Sequence, residues 1–116
     1  MKALSEAVVS AEDLTRAASQ VRARRKHFHK GTRGAPKTTL IYSRNGALVI
    51  YTPFVRTEIP MSGEWNVCIS VDAATLTLLS QRLPQFEQVT LTHLPDKLAI
   101  NGGQFMLPSK LEELPD

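Results

Sequence analysis

The side chains best suited to bond-making or metal chemistry in this 116-residue chain are three histidines and one cysteine, and their spacing supports neither use. His27 and His29 stand two apart in a loop-like stretch with no Cys, Asp or Glu beside them, so the convergent donors of a zinc site are missing. His93 closes an alternating apolar run on its inward side, the place of a hydrogen-bonded structural histidine. Cys68 lies within the apolar run Asn66 to Val71 and reads as a buried structural thiol; a lone cysteine excludes an intramolecular disulfide. Serines, threonines and aspartates fall at expected caps, turns and strand faces, with no nucleophile at a recognisable spacing from a base. Gly102-Gly103 sits between two strand-like runs and lacks the helix start and lysine of a phosphate-cradling loop, so it reads as a turn. No catalytic site, metal or cofactor is expected.

Positive charge is the remaining chemical signal. Residues 1–44 hold ten of the fourteen Lys and Arg and three of the eleven acids, a balance of +7, against −4 for the rest of the chain. Arg16, Arg22, Arg24, Arg25, Lys26, Lys30, Arg33 and Lys37, together with Gln20, which shares the outer helix face with Arg16, are expected to form a phosphate-contacting set whose affinity would be salt-dependent and largely independent of base sequence. Phe28 is the only aromatic among them, so stacking of single-stranded bases has little support and duplex DNA is the better-matched polyanion. The competing readings are a solvated basic loop over residues 26–37, and Arg22 and Arg25 as edge residues whose stems cover apolar surface.

These residues are positioned by a repeated unit. Val9 to Val21 (VSAEDLTRAASQV) recurs 62 positions later as Val71 to Leu83 (VDAATLTLLSQRL). In the first copy, a strand over Ser5 to Val9 leads into a helix over Ala11 to Arg25. Ser10 and Asp13 form a capping-box-like start, with Leu14, Ala17, Ala18 and Val21 on the core face. Strands follow at Thr38 to Ser43 and Ala47 to Thr52 around an Asn45-Gly46 hairpin, then at Phe54 to Ile59, with a turn from Pro60 to Glu64. The second copy reads as a strand over Trp65 to Val71, a helix capped by Asp72 and stopped by Pro84, and strands at Gln88 to His93, Lys97 to Asn101 and Gln104 to Leu107. Pro108 onward reads as a polar tail. The whole is a single domain over residues 1–116, with half-repeats over about 5–60 and 65–108 sharing one core. No apolar run is long enough to span a bilayer, and the acids near the N-terminus do not suit a secretory signal, so a cytoplasmic location is expected.

Two βαβββ units in which VSAEDL and VDAATL open the helices carry further pieces in a distinctive order. These are Glu58-Ile59-Pro60, Val67 to Val71, Leu83-Pro84, Val89-Thr90-Leu91 and Phe105-Met106-Leu107-Pro108. In that order they resemble one domain of the DNA sliding clamp family, in particular the bacterial beta clamp of DNA polymerase III. The resemblance implies an α+β DNA clamp fold, with two helices packed on antiparallel sheets and facing a DNA-filled hole. Self-association through the edge strands Phe54 to Ile59 and Gln104 to Leu107 would build a ring or partial ring, a homohexamer if complete. The family's peptide pocket has no counterpart here, so polymerase binding is not carried over. The second helix departs from the family's charge pattern, because its outer face presents Ala74, Leu78 and Arg82. That face suggests the rival reading, a module docking onto a replication or repair protein without binding DNA.

Overall fold

The chain runs β1 (Glu6–Ser10), α1 (Ala11–Arg25), β2 (Thr38–Arg44), β3 (Ala47–Tyr51), β4 (Arg56–Glu64), β5 (Ile69–Asp72), α2 (Ala73–Ser80), β6 (Gln88–Leu94), β7 (Lys97–Ile100) and β8 (Phe105–Leu111). The structure is a computed structural model and describes residues 5–25, 38–51, 55–83 and 86–114, the side chains of 19–25 excepted. The βαβββ order therefore occurs twice, with α1 at the limits the sequence suggests.

The fold class is different from the clamp arrangement. All strands are antiparallel to their neighbours and close into a barrel in the order β1-β4-β3-β2-β5-β8-β7-β6. The expectation of an α+β clamp fold with helices packed on open sheets is thereby overturned. Exchanging each strand for its counterpart in the other unit (β1 with β5, β2 with β6, β3 with β7, β4 with β8) returns the same cyclic order. The two seams, β1 with β6 and β2 with β5, both join one unit to the other. Neither half closes alone, which is why the sequence repeat yields one core.

Four expected boundaries also change, and the first is α2, which ends at Ser80 with Gln81 as its C-cap and does not run on to Pro84. Pro60 to Glu64 is not a turn: β4 runs on to Glu64, lying against β3 from Arg56 to Pro60 and against β1 from Met61 to Glu64. Pro108 does not begin a tail: β8 lies against β7 from Phe105 to Pro108 and against β5 from Ser109 to Leu111. Each proline stands where its strand changes partner, the kind of position that tolerates a missing N–H. Turn-forming residues thus bend a continuing strand instead of ending it. Trp65 to Cys68 lies outside β5, which begins only at Ile69, and forms the crossover between the units.

Hairpin chemistry follows the residues. Asn45 and Gly46 have φ of 53° and 82°, the pair of left-handed positions that a two-residue turn between Arg44 and Ala47 requires. Asn101, Gly102 and Gly103 are all left-handed in the turn from β7 to β8, which accounts for both glycines without a ligand.

Aliphatic side chains fill the interior in facing pairs: Val9 with Val89, Ile41 with Ile50 and Ile69, Leu91 with Ile100, Leu98 with Leu107. Each such side chain contributes roughly 1.5–3 kcal/mol when fully buried. The outward positions include Arg56, Glu58 and Lys110, a polarity opposite to that of a membrane-spanning barrel. No described helix is long and apolar enough to cross a membrane. A second, smaller apolar cluster of Tyr42, Val49 and Cys68 lies on the outer side of β2 and β3, with Arg56 stacked 4.9 Å from the Tyr51 ring centre.

The helices pack on each other, and Leu14, Ala17, Ala18 and Leu76 join the barrel core. The Thr15 hydroxyl donates to the Ser80 carbonyl at 3.2 Å and ties the two together. Both expected caps form, with Asp13 N donating to Ser10 Oγ at 3.3 Å and Thr75 N donating to Asp72 Oδ2 at 2.8 Å. The shorter bond to a carboxylate is the stronger cap. Asp72→Ala is expected to cost about 1 kcal/mol in urea denaturation, and Asp72→Asn clearly less.

Thr39 is completely buried on the inward side of β2, opposite Val71, and its hydroxyl has no hydrogen-bond partner among the described residues. A buried hydroxyl without a partner carries its desolvation cost uncompensated. Thr39→Val keeps the branched shape and is expected to be neutral or to stabilise by about 1 kcal/mol in the same measurement. A loss of stability would show that the hydroxyl is bonded.

Candidate nucleic-acid interface

Helix α1 separates its charges by end. Glu12 and Asp13 occupy its first turn, and the backbone of Arg22, Arg24 and Arg25 belongs to its last. Both placements favour the helix macrodipole, so part of this pattern stabilises the helix itself. The run of cations continues in sequence into Lys26, Lys30, Arg33 and Lys37.

Of the expected phosphate contacts, Arg16 is the one whose side chain is described. It is exposed, and its Nη2 sits 2.7 Å from Asp13 Oδ1. It also borders a hollow of about 540 Å³ shared with Ser10, Glu12, Thr15, Phe86 and Glu87. An exposed ion pair of this kind contributes only about 0–1 kcal/mol and is readily exchanged. Glu12 and Glu87 would remain, however, and their field opposes a phosphate at this end of the helix. Gln20, Arg22, Arg24 and Arg25 are placed by their backbone in the later turns of α1. Lys26, Lys30, Arg33 and Lys37 lie outside the described residues, as do His27, Phe28 and His29.

The outer face of α2 has the composition read from the sequence. Ala74 and Leu78 are exposed on it, Leu78 retaining 64% of its accessible surface, and Arg82 is exposed in the turn beyond the helix end at Ser80. A leucine this open adds no charge beside α1.

The other chemical candidates resolve into structure. Cys68 is buried, and its thiol is pushed above its ordinary range, first by burial and then by the negative charge of Glu112. It therefore stays protonated at neutral pH, the wrong form for a nucleophile. His93 points inward from β6; its backbone N donates to the Ser5 carbonyl at 2.9 Å, while its ring Nε2 is buried without a partner among the described residues. The side-chain hydrogen bond expected for it is not present there. Among the described residues no three His, Cys, Asp or Glu side chains converge to hold a metal ion.

One structural role escaped the sequence reading altogether. Glu112, assigned to a polar tail, accepts from Ser70 Oγ at 2.8 Å, and its backbone N donates to the Cys68 carbonyl at 2.8 Å. These bonds extend the β5–β8 seam by one residue. The alternation Phe105, Leu107, Ser109, Leu111 was the available signal, masked by Pro108 in the middle of it. No family model matches the chain, and no curated protein matches it in sequence.

Proposed function

We propose that this chain is a DNA-binding protein without catalytic chemistry of its own, holding duplex DNA by phosphate contacts from the basic end of α1 and the segment that follows. The observation that supports this most is the charge split, +7 against −4, with the cations gathered at and after the C-terminal turn of one helix. A body of opposite sign leaves one positive region as the place where a polyanion is attracted. The acids around Arg16 set the limit of that region at the N-terminal end of α1.

The test is the affinity for a duplex oligonucleotide as a function of salt. Log affinity should fall linearly with log salt, with a slope of about −0.9 for each phosphate neutralised. Replacing Arg24, Arg25 and Lys26 by Glu should weaken binding and flatten that slope, whereas Arg16→Glu should do much less. A flat salt dependence, or binding unchanged by the triple substitution, would overturn the proposal.

A second reading, assembly by strand addition, is favoured by β8. Among the described residues Phe105 to Pro108 register with β7 only, and Met106 on this stretch is half exposed. A half-edge of this kind can accept a further strand from a second copy or from a replication or repair protein. Mass by light scattering across a concentration series distinguishes a self-associating chain from a monomer. Capture of a protein partner that survives nuclease treatment would favour docking over DNA binding.

A further inference from the structure

We draw no further inference here: the strongest candidate, the groove of about 470 Å³ between the Trp65 to Cys68 crossover and the exposed Leu111 and Leu114, has an apolar rim beside a buried thiol, but nothing in the structure shows what covers it.

Discussion

Gly63→Ala is expected to cost about 3 kcal/mol or more, while Gly46→Ala costs about 1–2 kcal/mol, although both glycines have left-handed backbones with φ of 91° and 82°. The shared part of the penalty is conformational, since a Cβ at such φ crowds its own carbonyl. The difference lies in the surroundings. A Cβ on Gly46 meets nothing within 4 Å, because the hairpin tip is open to solvent. A Cβ on Gly63 would stand 2.4 Å from the Glu6 carbonyl oxygen, closer than any real contact, and that oxygen belongs to backbone that cannot swing aside. Relief requires β1 to move away from β4, where Ala7 faces Gly63. Because β1 also forms the seam with β6, the displacement loosens the junction between the two units. Urea denaturation of the two variants side by side separates the effects. Equal losses would mean that backbone conformation alone accounts for both and that the close approach at Gly63 is easily relaxed.

The same residue shows how far the fold could be read from the sequence. Helix α1 was legible because apolar spacing, a serine cap and acids in the first turn all agree; for α2 the Asp72 cap and the leucine spacing marked the start, but its end at Ser80, before Pro84, was not legible. Asn45-Gly46 announced its hairpin because few residue pairs accept two successive left-handed positions. The barrel was not legible. Closure depends on seams between strands far apart in sequence, such as Val9 opposite Val89 and Thr39 opposite Val71, and alternation reports only that a strand has a buried face. Pro60 and Gly63 misled for a physical reason: the features that make a turn in a short connection also let a long strand bend from one partner to the next. The candidate interface was legible as composition and not as geometry, because cations declare themselves by type. Whether an acid sits near one of them depends on helical spacing, as with Asp13 beside Arg16, and on tertiary structure, as with Glu87, which lines the same hollow from just before β6.

Trp65→Ala is expected to lose about 3–5 kcal/mol, a large share of the 5–15 kcal/mol that holds a typical domain. Trp65 is the largest fully buried side chain, 2% exposed, and it sits in the crossover from β4 to β5 where one unit hands the chain to the other. The crossover is pinned around it: Ser43 Oγ donates to the Trp65 carbonyl at 2.6 Å, and Asn66 N donates to Ser5 Oγ at 2.9 Å. With the backbone held from both sides, the site cannot collapse around a smaller side chain, so the cavity term should approach its full value. The indole N–H donates to the Ile41 carbonyl at 3.4 Å, a long and therefore weak bond, which makes packing the dominant contribution. Trp65→Phe tests that ordering, because it keeps most of the ring volume and removes the donor. It should lose less than half of what alanine loses. If phenylalanine costs nearly as much as alanine, the hydrogen bond to Ile41 is the main contact and the packing argument fails. Both variants need far-ultraviolet circular dichroism as the readout, because the substitution removes the only tryptophan in the chain. Trp65 shares one core cluster with Ile41, Ile50 and Ile69, and Ile41, whose carbonyl accepts from the indole, pairs with Ile69 across the β2–β5 seam. The expected consequence is that the two units lose their coupling there, and the transition broadens as well as shifting to lower denaturant.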